Sequence, residues 1–96
     1  MVKIDSEKLI ERRLADRVKK SGGLCLKLAT LHVMGLPDRL CLLPGGRAIF
    51  VELKTTGQKP KKIQICMHSR LKAIGFEVHV VDTIASVDKL IEYANR

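Results

Sequence analysis

The sequence predicts an α/β fold in which helices cover both faces of a mixed β-sheet. Apolar residues recur every three or four positions near both ends of the chain, as they do on one face of a helix. Short apolar or alternating runs, typical of strands, lie between these segments and are separated by Gly- and Pro-containing turns. The resulting element order is α-β-β-β-α-β-α, and helical crossings between strands of one sheet build such a sandwich.

The first predicted helix covers residues 5–20. Asp5 or Ser6 can cap its start, and its apolar face repeats every four residues through Ile10, Leu14 and Val18. The sequence Ser21-Gly22-Gly23 then ends the helix. Residues 24–28 suit a short strand, and residues 29–37 are predicted to form a loop.

The middle of the chain predicts a β-hairpin followed by a helix. Residues 39–43 and 47–54 are apolar runs separated by Pro44-Gly45-Gly46, a turn sequence. After a polar loop over 55–59, Pro60 is predicted as the first helical residue. The buried face of this helix is predicted to contain Ile63, Met67, Leu71 and Ile74. Residues 76–81 alternate like a strand, and Ser86 is predicted to begin a last short helix.

Composition favours an anionic polymer as the partner. The 96 residues are predicted to form a single domain, residues 1–96, with one hydrophobic core. Lys and Arg total 18 against 10 Asp and Glu, a net charge of +8, which favours nucleic acid first and an acidic membrane surface second. Only three aromatic residues are present, so recognition of the nucleic-acid backbone is expected rather than stacking on single-stranded bases.

Cysteine and histidine usage favours an intracellular protein without a zinc site. No apolar run has the length of a membrane helix, no signal-peptide pattern is visible, and a cytoplasmic location without membrane association is expected. The cysteines are odd in number and widely spaced, as expected for reduced thiols: Cys25, Cys41 and Cys66. The histidines have no metal-ligand spacing and are interpreted as structural or exposed: His32, His68 and His79.

The segment Glu52-Leu53-Lys54 is the sharpest local feature that could carry chemistry. Strand alternation places Glu52 and Lys54 on one face and Leu53 on the other. A bare Glu-x-Lys is common on exposed edge strands, so the segment alone favours a solvent-facing pair. The upstream Gly35-Leu36-Pro37-Asp38-Arg39 and the intervening hairpin change this interpretation, because they can bring another carboxylate close to Glu52.

Asp38 precedes the first hairpin strand, and its carboxylate is therefore expected to approach Glu52. Two converging carboxylates repel each other unless a cation lies between them. Mg²⁺ or Mn²⁺ suits such oxygen ligands, activates water and offsets charge on a phosphoryl group. With Lys54 placed to orient the attacking water or to help deprotonate it, the combination predicts phosphodiester hydrolysis. No organic cofactor is expected.

Three further polar residues are candidates for the same site. Glu11 lies on the apolar side of the first helix and either contributes to the metal, directly or through water, or pairs with a nearby Lys or Arg; Glu7 is its substitute. Gln64 can reach a phosphate or hold Lys54, although a surface glutamine fits nearly as well. Lys27 interrupts an apolar strand and either reaches the site or extends to solvent.

Taken in order, these features resemble the VRR-NUC family, the virus-type replication-repair nucleases of the PD-(D/E)xK superfamily. The resemblance runs from about Glu7 to Asp82 and rests on the ordered set Glu11, Gly22-Gly23, Lys27, Gly35 to Arg39, Glu52 to Lys54 and Gln64. It implies a restriction-endonuclease-like core and a Mg²⁺ or Mn²⁺ site. The implied ligands are Asp38, Glu52, the Leu53 carbonyl and a contributory Glu11. The residues expected to contact nucleic acid are Lys27, Arg39, Lys59, Lys61 and Lys62.

The resemblance also implies a biological setting. Compact members of the family are similar to bacteriophage or bacterial proteins, so the cytoplasm of a bacterial or phage-infected cell is expected, and the family includes homodimers that act on branched DNA such as four-way junctions in DNA repair. The segment 30–34 is more apolar than the family pattern, which suggests an interface or a DNA wedge. Two rival interpretations are a non-catalytic basic DNA-binding module and a subunit of a larger phage or repair complex.

Overall fold

The computed structural model describes residues 3–29 and 33–96. In these ranges the predicted α/β class and element order are confirmed. The elements are α1 (Glu7–Lys20), β1 (Leu24–Lys27), β2 (Arg39–Leu43), β3 (Arg47–Leu53), α2 (Lys62–Ala73), β4 (Glu77–Val81) and α3 (Ile84–Ala94). The expected loop around His32 lies partly outside the described residues.

The four strands form one mixed sheet in the order β1-β2-β3-β4. The pairs β1–β2 and β2–β3 are antiparallel, and Leu43 faces Arg47 across the predicted turn. Strand β4 lies parallel to β3, which requires a crossover, and α2 provides it. Arg39 pairs with Val51, so the next step along the register sets Asp38 opposite Glu52. The hairpin therefore brings the two acids to the same end of the sheet.

The hydrophobic core lies between the helices α1 and α3 and one face of the sheet, which we call the first face; α2 lies on the opposite, second face. The apolar side of α1 is completely buried, as predicted, through Ile10, Leu14 and Val18. The alternate β3 residues Ile49, Val51 and Leu53 pack in the same cluster, together with Val87 and Ile91 of α3. Alternation consequently directs the other β3 side chains, Glu52 among them, to the second face.

Asp5 connects the start of the chain to α3. Ser6, and not Asp5, caps α1, because its side chain accepts a hydrogen bond from the Leu9 N–H. The Asp5 carboxylate instead accepts a 2.9 Å bond from the Ile84 N–H at the first turn of α3, where a negative charge is favourable. Thr83 caps α3, so this helix begins two residues before the predicted Ser86.

The predicted buried face of α2 is wrong. Ile63 and Ile74 are 44% and 71% exposed, and the buried α2 side chain is His68. The helix also begins at Lys62 and not at Pro60. Its inner face contacts mainly β4 and the Glu52 side of β3, so the polar residues Gln64 and His68 point inward. None of the helices in residues 3–29 and 33–96 has the length and apolarity to cross a membrane.

Candidate active site

Asp38 and Glu52 form the centre of the candidate site at the ends of β2 and β3. The Leu53 N–H donates a 2.8 Å hydrogen bond to Asp38 Oδ2, which fixes the Asp38 carboxylate beside the residue that follows Glu52. Glu52 itself is 1% exposed. Burial, and after it the negative charge of Asp38, raise the pKa of Glu52 to about 7. The predicted convergence of the two carboxylates is thus visible in the geometry and in the electrostatics.

Lys54 lies on the same side as Glu52, as alternation predicts. Its Nζ is 3.1 Å from Glu52 Oε2, and the Lys54 side chain is only 15% exposed. The backbone of Lys54 is also fixed, because its N–H donates to the Val81 carbonyl of β4. The alternation along β3 and the backbone bond to β4 therefore hold the Lys54 ammonium next to the Glu52 carboxylate.

Gln64 holds the same carboxylate from α2. Its Nε2 donates a 3.0 Å hydrogen bond to Glu52 Oε2, and its Oε1 accepts a 2.8 Å bond from the Lys61 N–H at the helix start. The second bond fixes which end of the amide faces Glu52. Gln64 therefore contacts Glu52, whereas the sequence prediction placed it against phosphate or Lys54.

His68 is a site neighbour that the sequence interpretation missed. It follows Gln64 by four residues on α2, its side chain is 7% exposed, and its Nε2 lies 3.6 Å from Glu52 Oε1. Burial, with the charges of Lys72 and Lys54, lowers the pKa of His68. The spacing of four from Gln64 is the signal that could have indicated it, since such residues share one helix face.

Gly35 explains why the loop before Asp38 packs as it does. Its φ is +80°, and a Cβ at this position would lie 2.4 Å from the Ile63 carbonyl oxygen of α2. A glycine therefore allows the loop to touch the main chain of the helix that carries Gln64 and His68. The loop that leads to Asp38 therefore packs directly against the helix that contacts Glu52.

Known proteins are similar to this chain in sequence and in fold. No protein-family model matches the chain. The chain is 44% identical over 77 residues to "Putative nuclease p44" of Acyrthosiphon pisum secondary endosymbiont phage 1, which covers 80% of this chain and 83% of that protein. The chain belongs to the VRR-NUC family of nucleases. A solved VRR_NUC domain superposes with a TM-score of 0.84 at 35% identity, covering 93% of this chain and 98% of the other.

In this VRR-NUC chain, Glu11 is paired with Arg39. Arg39 Nη2 lies 3.0 Å from Glu11 Oε2, and Arg39 Nη1 donates to the carbonyl of Cys25. Arg39 follows Asp38 directly, so the ion pair stands next to the site. It lies on the α1 side of the sheet, whereas Glu52 lies on the α2 side. Within residues 3–29 and 33–96, no three His, Cys, Asp or Glu side chains are arranged to hold a metal together.

The predicted nucleic-acid contacts fall into two groups. Lys59, Lys61 and Lys62 are exposed around the start of α2, next to Gln64. Lys27 is exposed on β1 and faces the half-buried Arg39 across the ladder. The first group is free of ion pairs among the described residues, whereas Arg39 is bound to Glu11. The lysines at the α2 start thus offer positive charge close to the carboxylates.

Proposed function

We propose that this VRR-NUC protein is a divalent-metal-dependent DNA endonuclease, selective for branched DNA such as four-way junctions and active as a homodimer. The observation that carries the proposal is the convergence of Asp38 and Glu52 with Lys54, 3.1 Å from the Glu52 carboxylate. Two carboxylates and a lysine at one end of the sheet are suited to metal-dependent hydrolysis of a phosphodiester bond. The nuclease relative supports the same chemistry.

The polar atoms at the site suit Mg²⁺ or Mn²⁺. Glu52 Oε1 is buried and has no hydrogen-bond partner among the described residues, although Oε2 accepts a hydrogen bond from Gln64 and forms a salt bridge with Lys54. The neighbouring Asp38 charge opposes ionisation of Glu52, and a cation there would reverse this effect. Mg²⁺ sites commonly use one or two carboxylates together with water and substrate phosphate. Asp38, Glu52 and the Leu53 carbonyl would hold the ion, whereas Glu11, which is paired with Arg39 on the other side of the sheet, would contribute only through water.

Lys54 is proposed to orient the attacking water and to stabilise negative charge during the reaction. A bound divalent ion supplies charge stabilisation at the phosphate and lowers the pKa of a bound water. The Lys54 ammonium, held by its contact with Glu52, orients the attacking water and offsets negative charge that develops on the phosphate. Gln64 keeps the Glu52 carboxylate in one orientation while this happens.

DNA is proposed to approach across the start of α2. Lys59, Lys61 and Lys62 are exposed there, and the net charge of +8 favours a polyanion. Phosphate contacts from such lysines position a duplex without reading its bases. Selectivity is therefore expected to depend on DNA shape and not on sequence, which suits a nuclease for branched structures.

A second copy of the chain is proposed to cover the open sheet face, defined as Leu24, Leu26, Leu40, Leu42 and Phe50. The strand register places these side chains on the second face, where α2 packs mainly on β4. Leu24 is 60% and Leu26 41% exposed. The accessible surface is 6376 Å², against about 5,500 Å² expected for a monomer of this mass. A stable interface covers about 800 Å² per partner.

A two-fold dimer would match a symmetric DNA branch. Each copy has one candidate site, and a closed dimer presents two sites related by the same axis. A four-way junction offers two equivalent strands in that relation. Because one chain this small covers little DNA, pairing of the sites supplies both affinity and selectivity.

The decisive experiment is cleavage of labelled four-way junction, flap, linear duplex and single-stranded DNA with Mg²⁺, Mn²⁺ or EDTA. Wild type is compared with Lys54→Ala and with Lys20→Ala. Lys20 is a matched control, because it loses the same charge at an exposed position whose ion pair is with Asp16. We expect metal-dependent cleavage, strongest on the junction, that Lys54→Ala abolishes and Lys20→Ala retains.

Two results would contradict the proposal. Salt-sensitive DNA binding with no cleavage in any metal would favour a binding module. Equal cleavage by wild type and Lys54→Ala would show that Lys54 has no role in the reaction. Circular dichroism of each variant establishes that the fold is retained.

A further inference from the structure

His68 and Glu52 bring two buried polar atoms close to each other without other partners. Glu52 Oε1 and His68 Nε2 are 3.6 Å apart, and neither has a hydrogen-bond partner among the described residues. Buried polar atoms are normally satisfied, so an unpaired donor and acceptor at this distance are unusual outside functional sites. The pair stands at the carboxylate on which the proposed function depends.

The two carboxylate oxygens of Glu52 make different contacts with the surrounding residues. Oε2 receives Gln64 Nε2 at 3.0 Å and Lys54 Nζ at 3.1 Å. Oε1 has no hydrogen-bond partner within the described residues, and His68 Nε2 lies 3.6 Å from it. Gln64 and His68 are one helical turn apart on α2, so the same rigid element presents one polar group to each oxygen.

We propose that His68 is a positioning residue for Glu52: its imidazole donates a hydrogen bond from Nε2 to Glu52 Oε1, and α2 thereby fixes both carboxylate oxygens. This inference rests on the proposed metal-dependent function. The observed 3.6 Å is longer than a hydrogen bond, and a movement of about 0.6 Å closes it. Hydrogen bonds at catalytic groups are often long without ligands and tighten when the reacting complex forms.

The proposed hydrogen bond determines which ring nitrogen of His68 carries the proton. A neutral imidazole carries one N–H, so donation from Nε2 requires the Nε2–H tautomer. Packing alone would impose no such requirement on the ring.

The role predicts an effect on metal binding itself. Hydrogen bonds to metal-ligating carboxylates orient them, and their loss typically costs 10- to 100-fold in metal affinity or activity. His68→Leu removes the donor and keeps an apolar side chain of similar length, whereas His68→Gln restores an N–H donor. Ser69, the exposed neighbour on α2, provides the control Ser69→Ala.

The experiment measures Mn²⁺ affinity by titration calorimetry without DNA and the imidazole tautomer by ¹⁵N NMR of the metal-free protein. We expect His68→Leu to bind Mn²⁺ at least tenfold more weakly, His68→Gln to recover most of the loss and Ser69→Ala to match wild type. The wild-type spectrum should show a proton on Nε2.

Several outcomes would overturn the role. The first is an unchanged Mn²⁺ affinity in a folded His68→Leu variant. The second is an equal loss of Mn²⁺ affinity in His68→Leu and His68→Gln. The third is a wild-type spectrum that shows the imidazole proton on Nδ1. The tautomer is read on wild type, so it decides the question even where His68→Leu does not fold. Mn²⁺ binding with the expected variant pattern but no DNA cleavage would contradict the proposed function and leave the His68 role intact.

Discussion

The Leu53 N–H and the Asp38 carboxylate are joined by a 2.8 Å hydrogen bond. Leu53 lies between Glu52 and Lys54, so one strand end holds both acids and the base. The sheet, rather than attraction between the side chains, keeps Asp38 near Glu52. Their mutual repulsion is expressed in Glu52, whose pKa burial and the Asp38 charge raise to about 7.

The stability of the metal-free protein is predicted to fall as pH rises through the Glu52 titration. The folded state has the higher pKa, about 7 against an ordinary 4.5, so between these values it binds more protons than the unfolded state. Glu52→Gln cannot titrate, and its advantage over wild type should therefore grow from pH 4.5 to 7. A shift of this size corresponds to roughly 3 kcal/mol.

Urea denaturation of both proteins in EDTA at several pH values measures this difference. Asp38→Asn is the second arm, because it removes the charge that opposes Glu52 ionisation and should flatten the wild-type decline. Parallel pH curves for wild type and Glu52→Gln would show that Glu52 titrates at its ordinary pKa.

Gly35→Ala is predicted to destabilise the protein more than Gly57→Ala. Both glycines have φ near +80° to +90°, a region that costs an L-residue about 1–2 kcal/mol. Only at Gly35 would the Cβ also overlap main chain, 2.4 Å from the Ile63 carbonyl oxygen, which adds about 1–3 kcal/mol. Thermal unfolding of the two variants tests the ranking. Equal losses would mean that the loop and α2 separate at little cost.

Glu11→Gln is predicted to affect mainly metal binding and Arg39→Gln mainly DNA binding, although the two residues form one ion pair. A double-mutant cycle in urea should give a coupling of about 1 kcal/mol, since both side chains are partly shielded. Glu11→Gln should also weaken Mn²⁺ binding about tenfold, whereas Arg39→Gln should mainly weaken DNA binding. Identical metal affinities for the two variants would make Glu11 only the structural partner of Arg39.

The sequence was sufficient where one regular pattern decided the outcome. The four-residue repeat of Ile10, Leu14 and Val18 predicts the α1 core face, and Pro44-Gly45-Gly46 predicts the hairpin that sets Asp38 opposite Glu52. Alternation then places Lys54 beside Glu52. These relations depend on residues close in sequence or on a single turn.

The sequence was insufficient for α2, where a polar site competes with apolar burial. Ile63 and Ile74 predict a buried stripe, yet the helix turns Gln64 and His68 inward because Glu52 lies beneath it. Which face a helix buries depends on what the sheet presents, and this requires the tertiary arrangement. The Glu11 pairing with Arg39 was among the alternatives, and residue spacing alone could not select it.

Leu26→Lys is predicted to convert the proposed dimer to monomer, whereas Leu9→Lys is not. The two leucines are similarly exposed, 41% and 46%, but Leu26 lies on the open sheet face and Leu9 on α1. A lysine on a covered apolar face leaves a charge without a partner at the interface, which costs several kcal/mol. Sedimentation velocity at micromolar concentration should show a dimer for wild type and Leu9→Lys and a monomer for folded Leu26→Lys, with slower junction cleavage. A wild type that sediments as monomer, or a dimer that survives Leu26→Lys, would place the contact elsewhere or exclude it.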